Sequence, residues 1–143
     1  DGMIGDSLPK AIGPDLNGSI GSVPGTDSPG AAKYSELAKA AGFESGPYGP
    51  ESYDAAALIM LAMEAAKSTD SNVFKNNVMD IANAPGEKIY PGELSKALKL
   101  IKEGKDIDYV GATALELVGS GESSGSFAEI LIDNQKTNKV GYR

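Results

Sequence analysis

Twenty carboxylates, with no histidine and no cysteine, set the chemistry open to this 143-residue chain. A Ser-His-Asp or Cys-His nucleophile cannot be assembled without an imidazole or a thiol. A zinc site built from Cys and His is excluded for the same reason. What remains is carboxylate work: acid–base catalysis by an Asp/Glu pair, as in glycoside hydrolases, or a hard-cation site of oxygen ligands. Pairs such as Glu36 with Glu44, or Glu116 with Glu122, are available. Nothing in their context separates them from ordinary solvated surface. Asp106 and Asp108 resemble the start of a calcium loop, but no Asp/Asn-Gly step and later Glu complete it. Gly119-x-Gly121-x-x-Ser124 lacks the third glycine of a dinucleotide fingerprint, and no crossover helix follows it. A Gly-Lys-Ser/Thr phosphate loop is absent. The residue types favour binding over turnover, so no catalytic residue, metal or cofactor is expected.

The elements that must position any site are those of a globular chain. Hydrophobic residues make 41% and charged residues 23%, enough for a core and too apolar for disorder. A net charge of −7 repels phosphate backbones, so neither DNA nor RNA is expected as a partner. The longest apolar stretch, Ala55 to Met63, is about half a membrane span, which points to a soluble chain. No basic, apolar leader opens it. A start at Asp1 without an initiator Met suggests part of a longer protein. With no cysteine, the compartment cannot be read from disulfides.

Periodicity predicts a short helix over Ser7–Ile12 with Asp6 as cap, then a strand over Gly18–Val23 stopped by Pro24-Gly25. Ser28 and Pro29 are a cap and first-turn pair for a helix whose apolar face is Tyr34, Leu37, Ala38 and Ala41, ended by Gly42. Tyr53 to Lys67 is apolar nearly all round, which predicts a deeply buried helix with Leu58, Met60, Leu61 and Met63 in the core. Asp54, in its first turn, meets the helix dipole, and both Tyr53 and Asp54 read as structural. A third helix starts at Ser71, with Phe74, Val78, Ile81 and Ala82 inward. A fourth starts at Pro91, with Leu94, Ala97, Leu98 and Ile101 inward, and Gly104 stops it. Asp108–Val110, Ala114–Val118, Ser126–Ile132 and Lys139–Tyr142 read as strands, with turns at 119–125 and 133–136. The early strand has no early partner, and the late strands scarcely cover four helices. That imbalance is what a portion of a larger fold shows.

Three stretches, in this order and spacing, resemble one family. They are Asp1-Gly2 with Asp15-Leu16-Asn17-Gly18-Ser19-Ile20-Gly21-Ser22-Val23-Pro24-Gly25; Pro47-Tyr48-Gly49-Pro50-Glu51-Ser52-Tyr53-Asp54-Ala55; and Gly104-Lys105-Asp106-Ile107-Asp108-Tyr109-Val110-Gly111-Ala112 with Gly125-Ser126-Phe127. The chain resembles the C-terminal part of the substrate-binding proteins of branched-chain and hydrophobic amino-acid ABC transporters. The resemblance implies an α/β type I periplasmic-binding-protein fold, in which two Rossmann-like lobes face each other across a cleft. It places residues 1–23 in the second lobe, 24–107 in the first as a helical segment, and 108–143 in the return to the second lobe.

The resemblance also implies a role: extracytoplasmic or periplasmic capture of an amino acid or similar small amphipathic solute, and delivery to an ABC permease. Asp1, next to Gly2, matches the carboxylate that holds the ligand's α-ammonium, since a desolvated ammonium needs a charged partner. The plain alternative is a solvated, frayed terminus. Tyr48 matches the aromatic that lines the cleft; its plain alternative is cover for the adjacent helix end. Two other functions stay open: a ligand-sensing domain of the same fold, and a carboxylate-dependent hydrolase.

Overall fold

Proline and glycine punctuate this chain into short elements, and a computed structural model describes them for residues 4–143. In order they are α1 (Ser7–Ile12), β1 (Ile20–Pro24), α2 (Pro29–Ala40), α3 (Gly49–Ala66), α4 (Ser71–Phe74), α5 (Val78–Ala82), β2 (Glu87–Ile89), α6 (Leu94–Lys102), β3 (Ile107–Tyr109), β4 (Leu117–Val118), β5 (Glu122–Ser123), β6 (Phe127–Asp133) and β7 (Lys136–Tyr142). Short 3₁₀ turns at Pro14–Leu16 and Lys75–Asn77 complete the set. The contacts divide into two units. One holds the N-terminal residues through Asp27 together with Ser126–Arg143, and the other is Ser28–Gly125.

The first unit is a three-stranded antiparallel sheet of order β1-β6-β7. The early strand therefore does have a partner, about a hundred residues downstream: Ile20 lies opposite Leu131 and Val23 opposite Ala128. Strands β6 and β7 are joined by a two-residue turn, with Asp133 opposite Lys136. Asn134 and Gln135 both take positive φ there, 51° and 58°, as a tight hairpin whose twist matches its strands requires. Asp6 does not cap α1 through its side chain. Its carboxylate instead accepts from the Thr137 N–H at 3.0 Å, tying the helix start to β7.

In the second unit, Ser28 caps α2 by accepting from the Ala31 N–H at 3.3 Å, with Pro29 at the start of the helix. Gly42 follows that helix at φ 69°, a left-handed position a side chain rarely takes. Helix α3 begins at Gly49, four residues earlier than its apolar run, because Pro50 suits the first turn. Asp54 is consequently past the first turn, and the dipole does not account for its burial.

The main core gathers Leu58 and Leu61 of α3 with Ile81, Ile89, Ala97, Ile107, Tyr109 and Leu117. Helix α3 is not buried all round. Leu58 and Leu61 are inside, but Met60 is 51% exposed, Ile59 is 44% exposed and Met63 is half-buried. The helix has one covered face and one open apolar face. Strand β2, too short to read from periodicity, pairs parallel with β3, Ile89 opposite Tyr109. Of the strand expected over Ala114–Val118 only Leu117–Val118 forms, paired with Glu122–Ser123 inside the expected turn.

Candidate ligand-contact site

The site is built from a loop that proline and glycine force open. In Pro47-Tyr48-Gly49-Pro50, Tyr48 is the residue before α3, and its backbone is left-handed at φ 67°, ψ 4°. A bulky side chain rarely takes that conformation without a compensating constraint. Backbone bonds hold it: the Ser52 N–H donates to the Tyr48 carbonyl at 2.9 Å, and the Gly49 N–H to the Gly46 carbonyl at 3.2 Å. The backbone at Gly49 comes close to two side-chain tips: a Cβ there would meet the Tyr34 hydroxyl at 2.8 Å and would displace the Ser45 Oγ.

The Tyr48 side chain is 42% exposed and lines an open groove of about 650 Å³. Tyr34 and Leu37 of α2, Phe43, and Ser52 and Tyr53 of α3 share it. Tyr34 and Tyr53 meet edge to face, with centroids 5.5 Å apart and planes at 62°. Both hydroxyls are engaged. Tyr34 Oη lies 3.0 Å from Ser45 Oγ, and Tyr53 Oη accepts from the Gly92 N–H at 3.1 Å. The predicted apolar face of α2 thus splits. Tyr34 and Ala38 are buried against Ala112, while Leu37 and Ala41 stay open along the groove.

Next to the groove, one turn into α3, Asp54 is 2% exposed and fully engaged. Its carboxylate accepts from the Ala112 N–H (2.8 and 3.0 Å), the Thr113 N–H (2.8 Å), the Thr113 hydroxyl (2.7 Å) and the Tyr109 hydroxyl (2.9 Å). Charge-assisted bonds of this number hold the 109–113 loop onto α3. Burial, and then the Asp54 charge beside it, push the Tyr109 phenol well above its usual range. The start of α2 closes on the same loop, for a Cβ on Gly30 would collide with the Gly111 carbonyl. Two of the three stretches that carry the family resemblance therefore meet at one carboxylate. Asp54 reads as structural from the sequence, but its partners lie more than fifty residues away and leave no local signal.

Tyr48 is the predicted contact that the structure places, on a groove wall as an exposed ring. Asp1 lies outside the described residues. Among the described residues no group of three carboxylates, or of other metal-binding side chains, could hold a metal ion. Among them also no helix is long and apolar enough to cross a membrane.

This architecture is that of a type I periplasmic binding protein, and the chain amounts to part of that fold. A solved leucine-binding protein, LivK from Thermotoga maritima, is similar over 96% of this chain with a TM-score of 0.64, at 16% sequence identity. The chain spans 34% of the length of that protein. At that identity the likeness speaks for the fold. The sequence matches no family model and no curated protein.

Proposed function

We propose that this chain belongs to the solute-binding component of an ABC importer, which captures an amino acid or a related small amphipathic solute outside the cytoplasm and docks on a permease. The observation that carries the reading is the likeness to a leucine-binding protein along 96% of the chain. The absence of histidine and cysteine from the sequence supports binding without turnover. In this reading residues 1–23 belong to one lobe, 24–107 to the other, and 108–143 to the return to the lobe of residues 1–23. Asp1 takes the solute's α-ammonium and Tyr48 packs on its apolar part. Closure of the lobes is favoured by whatever the solute gains from both.

A thermal-shift screen of the full-length gene product against amino acids, amides and small carboxylates tests it. A ligand at 100 times its Kd should stabilise by about 2.7 kcal/mol, a clear rise in Tm. Recovery of that ligand unchanged separates capture from hydrolysis. A flat response across the panel removes the amino-acid assignment and leaves a sensor of the same fold as the better account.

A further inference from the structure

We propose that Asn17-Gly18 is a self-modification site, converted to aspartate and isoaspartate through a cyclic imide, and that pairing with β6 holds it silent while the sheet is closed. The inference goes beyond solute capture and does not need it. Asn17 is the asparagine of this chain that a glycine follows. Asparagine is among the thermolabile residues, and a following residue without a Cβ leaves its nitrogen free to attack the side-chain amide. Asn17 is exposed, and its side chain makes no hydrogen bond among the described residues. By contrast, Asn76, Asn83 and Asn134 tie their amides to Val73, Leu117 and Asp133. The reaction needs only water. The Gly18 nitrogen yields its proton to solvent base and bonds to the Asn17 Cγ. The bond from Cγ to the amide nitrogen breaks, and ammonia leaves with a proton. Water then opens the imide. Attack at Cγ gives aspartate. Attack at the backbone carbonyl gives isoaspartate, with the side-chain carbon now in the main chain. Either product adds a negative charge to a chain of −7.

The fold opposes the first stage in two ways. The Gly18 N–H donates to the Ile132 carbonyl at 2.8 Å, so the attacking nitrogen keeps its proton. The Ile132 N–H donates in turn to the Ser19 carbonyl at 2.8 Å, just ahead of the Ile20–Leu131 pair that begins β1 against β6. Asn17 itself stands at φ −61°, ψ 135°. Ring closure requires its Cβ and the Gly18 nitrogen nearly eclipsed about the Cα–C bond, and this ψ turns them well apart. Opening of the β1–β6 edge frees the N–H and the ψ angle together. Local openings of this kind occur without global unfolding. Conversion at Asn17 therefore follows the time the sheet spends open. Isoaspartate lengthens the main chain by one carbon beside the Gly18–Ile132 bond and weakens that pairing.

The test is incubation of the full-length gene product in mildly alkaline buffer, with and without guanidinium chloride, followed by digestion and peptide mass spectrometry. Amide-to-acid conversion at Asn17 should run at least about tenfold slower in buffer than in denaturant. In denaturant, Asn17 should convert ahead of the other asparagines of these 143 residues. Gly18→Ala should slow it there by about tenfold or more, because a Cβ crowds the attacking nitrogen. In buffer, Ile130→Ala, which removes a buried side chain from the sheet, should speed conversion several-fold. Met60→Ala, on a half-open residue of α3, should leave the rate alone. Equal rates in buffer and denaturant, or a buffer rate that Ile130→Ala leaves unchanged, would overturn the protection by β6. Another asparagine converting first in denaturant would overturn the site. A flat amino-acid panel in the thermal screen would leave it standing, so the two readings fail separately.

Discussion

Asp54 shows how much one side chain can fix. A carboxylate is acceptor-only, and here every direction around it is a donor: two backbone N–H groups, the Thr113 hydroxyl and the Tyr109 phenol. Asp54→Asn keeps the shape and turns half the acceptor into an NH₂ that faces donors. It also leaves buried N–H groups unpaired, so a loss of about 3 kcal/mol or more is expected. In urea this should read as a lower midpoint at unchanged slope. Tyr109 adds a pH signature. Its folded pKa is raised, by burial first and Asp54 second, so the folded state keeps a proton that the unfolded chain loses near the ordinary phenol value of about 10. The contribution is fully present below that pH and is lost as pH rises beyond it. The expected slope is about 1.4 kcal/mol per pH unit for one proton. Stability curves of the chain and of Tyr109→Phe should differ in slope by about half that amount at about pH 10, approaching the full amount by about pH 11. Parallel curves would show that the phenol ionises equally in both states.

At the scale of elements, α3 is the beam of its unit, and its two faces behave differently. Leu61 is 1% exposed in the main core, so Leu61→Ala should cost about 2–5 kcal/mol by urea denaturation. Met60, half open on the next position, should cost no more than about 0.5 kcal/mol on the same change. A composition that is apolar all round cannot tell these neighbours apart, and this is why the whole helix read as buried. Local signals were legible where the physics is local. Ser28-Pro29 marks the start of α2, Gly42 and Gly104 follow their helices at positive φ, and Pro50 explains the earlier start of α3 once the loop is seen. Pairing was not legible. Strand β1 meets β6 across the chain, and β2 is three residues long with no period of its own. The ion pair of Lys96 on α6 with Glu87 on β2, at 2.6 Å, likewise has no trace in either segment. The groove was half legible: Tyr48 came from the resemblance, while Phe43 was missed as a loop residue and Leu37 was assigned inward by its helical spacing.

For the whole molecule, the two units differ in how much apolar surface they remove from water. The Ser28–Gly125 unit has a continuous cluster running from Ala57 to Leu117. The sheet unit buries Pro9, Ala128 and Ile130, and leaves Ile20, Phe127 and Val140 open at 79%, 45% and 55%. Three strands with so little covered face are near the limit of independent stability, and hydrophobic burial is the main favourable term in folding. The chain spans 34% of the length of the leucine-binding protein to which its fold is similar. Native-state hydrogen exchange of the 143-residue chain should therefore be uneven. Amides of β6, although central in its sheet, should exchange through a lower-energy opening than those of α3 around Leu61, because local opening follows the apolar contacts that must be given up. A difference of several kcal/mol between the two sets would show that the sheet unit opens on its own. Equal protection would mean that both units unfold as one cooperative body, and that β1, β6 and β7 draw stability from more than their own packing.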